Sequence, residues 1–153
     1  MTPLEKIKDW LTACPAFHAL EKVWVDYITE QTPANGGIFP SGLVEVSRRT
    51  DILGNVTVTN QYNFGLYYVF AKAPGDNESA ATNADWLMEF QEWVQAQSVT
   101  GQAPVFGDDP REERIMAQNG ALYGADEEGT AVYTVQLSVR FIKEFKTTNP
   151  WFI

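Results

Sequence analysis

One cysteine and one histidine occur in 153 residues. A lone Cys14 excludes an internal disulfide. With no CxxC motif and no Cys/His cluster, the chain lacks the usual ligand sets for structural zinc or an iron–sulfur centre. His18 is the only imidazole for a nucleophile–His–acid machine. It sits four residues after Cys14 with Pro15 between them, so the two do not share a helical face, and no GxSxG elbow exists. The glycines form neither GxGxxG nor GxxxxGK[ST], which removes the common phosphate cradles. Positive charge is scarce too: 11 Lys and Arg against 20 Asp and Glu, a net charge of −9 and a pI near 4.5. That balance argues against a sequence-independent grip on nucleic acid, which needs basic side chains to displace counterions from phosphates. The opening "MTPLEKIKDW" has charges in its first turns and no apolar core of signal-peptide length, and no window of about eighteen apolar residues occurs anywhere. The expectation is a soluble protein of intracellular origin, with no membrane partner and no cofactor.

Aromatic residues are plentiful, with five Trp, six Tyr and nine Phe making 13% of the chain. At this length roughly two-thirds of the unfolded surface is buried on folding, so residues 1–153 are expected to form a single domain with one core rich in flat rings.

The elements follow from local signals. Thr2, Pro3 and Glu5 make a T-x-x-E capping box, and Leu4, Ile7, Leu11 and Cys14 recur at helical spacing until Pro15. Residues Lys22 to Ile28 alternate like a strand. "PANGGIFPSG" reads as a loop, because Asn35-Gly36-Gly37 and Pro40 are turn formers. "LVEVSRRT" and the long "NVTVTNQYNFGLYYVFAKA" read as two strands of an antiparallel hairpin joined by a turn from Asp51 to Asn55. A wide apolar stripe of Leu87, Phe90 and Val94, flanked by Trp86 and Trp93, predicts a helix from about Glu78 to Gln97. After a connection, "VFGDDPREER", come a short strand, a "GADEEG" turn and a final strand in which Tyr133, Val135, Leu137, Val139 and Phe141 alternate with polar residues. The order is α-β-β-β-α-β-β, an α+β fold with a mostly antiparallel sheet covered by two helices.

Within the connection, "GDDPREER" gathers four carboxylates and two guanidinium groups into eight residues. Asp108 and Asp109 with Glu112 or Glu113 suggest a divalent-ion site or general acid–base chemistry, the basis of an alternative reading as a small carboxylate-dependent or metal-dependent hydrolase. Against it, Asp109 precedes Pro110 and is biased to an extended conformation, adjacent side chains there point apart, and Arg111 and Arg114 are near enough in sequence to act as counterions. The stretch is therefore read as a docking loop. A further alternative, an α+β ligand-binding module, would place an aromatic pocket at Trp86 and Trp93. Candidate contacts to a sister subunit or another partner are Asp108, Asp109, Arg111, Glu112 and Glu113, a second acidic turn at Asp126, Glu127 and Glu128, and the basic pair Arg48 and Arg49 at a strand end.

Five blocks, "RRTDILGN", "QYNFGLYYVF", "NADWLMEFQEWVQAQS", "APVFGDDP" and "YTVQLSVRFIKEF", together resemble the small minor capsid proteins of tail-terminator type from siphophages and prophages of Gram-positive bacteria. The resemblance runs from about Arg48 to Phe145. It implies a sheet-and-helix fold, no catalytic residues, and a ring, commonly of six copies, at the head-proximal end of a non-contractile tail. Such a ring stops the tail tube protein from polymerising and meets the head connector protein. It also implies a place in the virion after assembly in the host cytoplasm, with DNA passing through without specific binding. The acidic balance is compatible with a pore that repels the DNA backbone. A head-to-tail ring needs two complementary patches per subunit, and the arginine pair and the acidic loops are the candidates for one such contact.

Overall fold

The computed structural model describes residues 1–15, 22–25, 35–71, 77–125 and 130–147. The elements in chain order are helix α1 (Pro3–Leu11), strands β1 (Lys22–Val25), β2 (Asn35–Thr50) and β3 (Val56–Ala71), helix α2 (Asn77–Val99), a single 3-10 turn (Pro110–Glu112), and strands β4 (Arg114–Ala125) and β5 (Thr130–Phe145). The fold is α+β. Its strands form one sheet in the order β1-β2-β3-β5-β4. The β2/β3, β3/β5 and β4/β5 pairs are antiparallel, and only the short edge strand β1 runs parallel to its neighbour β2.

The period-two pattern becomes a two-faced sheet. In β5 the side chains of Tyr133, Val135, Leu137, Val139 and Phe141 are buried, while Gln136 and Arg140 are exposed. β3 pairs with β5 without a register break from Val56↔Phe145 to Ala71↔Thr130. Its Phe64, Leu66 and Tyr68 therefore join the same buried face, and Gln61, Asn63 and Tyr67 the opposite one. The helices lie on the buried face. α1 begins with the expected capping box, in which Thr2 Oγ1 accepts from Glu5 N–H and the Glu5 carboxylate accepts from Thr2 N–H. It contributes Ile7, Trp10 and Leu11, with Cys14 just beyond, and α2 contributes Leu87, Phe90 and Val94.

Rings join these layers. Trp10 stacks on Trp93 at 4.8 Å and donates its indole N–H to Gln97 Oε1 at 3.0 Å, which ties α1 to α2. Trp86 meets Tyr68 and Phe70 edge-on at 4.5 and 4.8 Å, which ties α2 to β3. Gln91 fastens α2 to β4 by donating to Ala117 O at 3.0 Å. The two tryptophans expected to frame a pocket are thus half-buried and packed against the core. Burial first, and then Cys14, raises the Tyr68 phenol well above its ordinary pKa, so it stays protonated in this core.

Two expectations are corrected. The supposed loop "PANGGIFPSG" belongs to β2 from Asn35 onward, with Gly36 and Gly37 opposite Tyr68 and Tyr67. Tertiary pairing overrides turn propensity there. The turn formers instead mark a register shift between Pro40 and Leu43, where Gly42 adopts φ 85°, a left-handed conformation suited to glycine. β1 ends opposite Ile38, so Pro40 lies on an edge stretch that tolerates a missing N–H. Second, the strand before β5 is not short: β4 spans 12 residues. The strand expected from Lys22 to Ile28 is seen as Lys22–Val25; its remainder lies outside the described residues, as do His18 and Asp126, Glu127 and Glu128 of the acidic turn.

The β2/β3 turn is organised by one carboxylate. Asp51 Oδ1 accepts from the N–H groups of Leu53 and Asn55, both at 2.9 Å. Burial alone would raise the pKa of Asp51, but the donors at Asn55, Leu53 and Gly54 outweigh it and hold the group below its ordinary 3.8. A depressed folded-state pKa stabilises the native state above the unfolded value. The contribution of Asp51 is thus fully present above about pH 3.8 and fades as pH falls through its lower folded value. Asp51→Asn should be less stable than the parent at neutral pH, with the two converging in acid, as read by thermal unfolding across pH 2–7, a range of roughly that span. In the core, Phe90→Ala should cost about 3–5 kcal/mol in denaturant unfolding, because its ring is fully buried between Tyr68, Trp86 and Trp93.

Candidate functional site

The segment from Phe106 to Glu113 solves a problem of sheet geometry. β4 pairs with β5 only as far as Arg114↔Arg140. Beyond that point the outer edge of β5 needs other partners, since buried or half-buried backbone groups are costly to leave unpaired. Asp108 supplies them. Its backbone N–H donates to Ile142 O at 2.8 Å, and its carboxylate accepts from Glu144 N–H at 2.8 Å. The chain therefore continues the sheet edge where β4 has stopped. The approach is close enough that a Cβ on Gly107 would collide with the Ile142 carbonyl, so only glycine fits.

The other carboxylates have equally definite tasks. Asp109 caps the 3-10 turn, accepting from Arg111 N–H at 3.2 Å, and its Oδ1 also takes the Arg111 Nε–H at 3.2 Å. The hydrogen bond to Asp109, reinforced by its charge, raises the exposed Arg111 guanidinium above its ordinary pKa. Glu113 reaches back across the loop, its carboxylate accepting from the N–H of Phe106 at 3.0 Å and from that of Gly107 at 2.5 Å. Phe106 is buried against Phe141 and Tyr62. Lys6 of α1 caps the same corner, donating to Val105 O at 2.7 Å with its ammonium 5.4 Å above the Phe106 ring. Of the four carboxylates in this stretch, only that of Glu112 makes no hydrogen bond or ion pair among the described residues; it is exposed, and its charge acts on the neighbouring Arg111.

This arrangement does not converge on a reacting atom or an ion. Asp108, Asp109 and Glu113 each turn toward backbone donors, and no three His, Cys, Asp or Glu side chains gather as a metal site among the described residues. The expected counterion role of Arg111 holds. Arg114 instead sits in β4 opposite Arg140, with no carboxylate partner among the described residues. Arg48 pairs with Glu45 of its own strand at 2.7 Å, both side chains well exposed, which makes this pair worth little to stability. Arg49 makes no such bond among the described residues.

The structure brings two of the three sets of candidate residues, the arginine pair and the Asp108–Glu113 loop, to one end of the sheet. Arg48 and Arg49 form one side of a groove of about 690 Å3, Asp109, Glu112 and Glu144 the other, and Thr57, Thr59 and Ile142 its floor. A transverse row connects the sides: Arg49 pairs with Thr57, Thr57 with Glu144, and the Glu144 N–H donates to Asp108. Sequence spacing gave no sign of this juxtaposition, since Arg49 and Asp108 are far apart in the chain. A second groove, of about 700 Å3, lies farther along the face away from the helices, among Phe39, Tyr67, Tyr123, Gln61 and Gln136.

No protein-family model matches the chain, and no curated protein matches it. Its function is therefore argued from the geometry. The loop is a fixed, outward-facing turn, clamped at Asp108 and Glu113. Glu113→Ala should leave the N–H groups of Phe106 and Gly107 unpaired and cost about 1–3 kcal/mol, whereas Glu112→Ala should leave the unfolding midpoint within error of the parent. Denaturant titration of both variants makes the comparison, and equal losses would contradict the assignment of Glu113 as the clamp.

Proposed function

We propose that this chain is a structural subunit of a phage head–tail junction, a tail terminator or minor capsid protein that caps the tail tube and joins the head connector. The observation that carries this reading is the use of the acidic loop. Its carboxylates hold a backbone shape and leave one acid outward, which supports a contact surface over the ion-binding or acid–base site of the hydrolase alternative.

The resemblance lends further support through its layout. Its five blocks correspond to the end of β2 with the Asp51–Asn55 turn, to β3, to α2, to the clamped loop and to β5. They are the parts that pack into one sheet with its covering helix, so a likeness in their order is a likeness of architecture. On this reading the fold is tail-terminator-like, and the subunits form a ring, commonly of six. The net charge of −9 keeps DNA from adhering as it passes the lumen.

Two observations on phage particles test the proposal. Antibody raised against the chain should label virions at the head-proximal end of the tail in electron micrographs. Disruption of the gene should yield tails of unregulated length that are not joined to filled heads. Label elsewhere, or normal virions without the protein, would refute it.

A further inference from the structure

We propose that the free chain pairs with a second copy edge to edge, β2 against β2 in antiparallel register about Ser47, and closes there as a two-fold dimer. The pairing is a property of the free chain and goes beyond the ring reading, since an isologous contact does not by itself build a ring.

The sheet offers one long edge for such a contact. β1 covers β2 only as far as Ile38, and among the described residues nothing pairs with the outer side of β2 from Phe39 to Thr50. Every residue from Pro40 to Thr50 is exposed, including Leu43, Val44 and Val46. An open strand of this length with apolar side chains is an aggregation liability unless a partner covers it. The opposite edge is taken by α2 from Ile115 to Gly120. Ile115 N–H donates to Ser98 Oγ at 3.1 Å, and Gln91 Nε2 donates to Ala117 O at 3.0 Å. Gly120 lies so close to α2 that a Cβ there would press on the Gln91 amide and on Leu87. A copy that joins sheet to sheet along a stretch of this length must therefore present the same strand, β2, and the contact uses up the edge it needs. Growth stops at two.

Charge sets the direction and the register. Pairing to β3 places Glu45 opposite Asn60, Ser47 opposite Thr59 and Arg48 opposite Val58, with Val46 the extra residue of a register shift. Glu45 and Arg48 thus lie one ladder step to either side of Ser47, on one face of the sheet. Antiparallel pairing about Ser47 sets Arg48 opposite the second copy's Glu45 and, by symmetry, Glu45 opposite its Arg48. The 2.7 Å Glu45–Arg48 pair of each chain then meets its counterpart in a cluster of four charges that alternate in sign. The same register lays the aliphatic stem of Arg49 along Val44 and sets Thr50 beside Leu43. Parallel pairing would instead oppose Glu45 to Glu45 and each arginine to its own copy, which like charge disfavours.

Sedimentation velocity on the purified full chain over a range of concentrations reads the association, and disulfide trapping reads the register. The parent should pass from monomer to dimer with rising concentration and go no further. Glu45→Arg and Arg48→Glu should each weaken the dimer roughly tenfold, with an unchanged melting temperature because both side chains are exposed, and the double variant Glu45→Arg/Arg48→Glu should recover most of it. Facing residues in an antiparallel ladder lie about 4.5–5.5 Å apart, within reach of a disulfide, and the native Cys14 is buried. Ser47→Cys should therefore cross-link to itself on mild oxidation. Leu43→Cys should not, since its two copies lie about six ladder steps, roughly 20 Å, apart, but it should cross-link when mixed with Thr50→Cys. A parent that stays monomeric or grows past the dimer, a double charge variant weaker than both singles, Ser47→Cys that fails to cross-link, or Leu43→Cys that traps itself as well as Ser47→Cys does would overturn the pairing. None of these results bears on where the protein sits in a virion, so the phage reading stands or falls on the labelling experiment alone.

Discussion

The outer edge of β5 past Arg140 is the constraint on which this end of the molecule depends. β3 occupies one side of β5 over its whole length, while β4 covers the other side only from Ala125 back to Arg114. A strand whose inner face is core and whose edge is half open must find donors and acceptors nearby, or its last turn frays. The connection from α2 provides them, and it does so only because Gly107 can approach Ile142 and because Asp108 offers both a backbone donor and a carboxylate acceptor. The shape of the loop is a consequence of finishing the sheet. Its acidity follows as well, since carboxylates are the side chains best able to take up stray backbone N–H groups at a turn.

Much of the architecture was legible in local pattern. The capping box at Thr2 and Glu5, the alternation along β3 and β5 and the apolar stripe of α2 each involve residues only two to four positions apart, and all appear as read. Misreadings arose where distant partners decide. Asn35 to Gly42 carry every local mark of a loop, yet Tyr67 and Tyr68 across the ladder make them a strand. Chemistry in the loop was hidden for the same reason. Asp108 bonds a backbone group 36 residues away, and nothing in "GDDPREER" distinguishes a carboxylate that caps a sheet edge from one that would hold an ion. Only the contrast between Glu113, folded back on Phe106 and Gly107, and Glu112, left outward, separates structural acid from available acid.

The separation bears on what the protein can do. An active site needs polar groups held toward a common point and left unsatisfied until substrate arrives. In this loop satisfaction comes first: three carboxylates are engaged by the chain itself, and the remaining one is exposed. A contact surface needs the opposite qualities, a backbone rigid enough to avoid an ordering cost on association and a small number of charges free to meet a partner. The clamped turn has both. The two-sided sheet adds a second surface of the same kind, because helices cover one face while the β2 strand past Phe39 carries exposed leucine and valine side chains that gain from being covered.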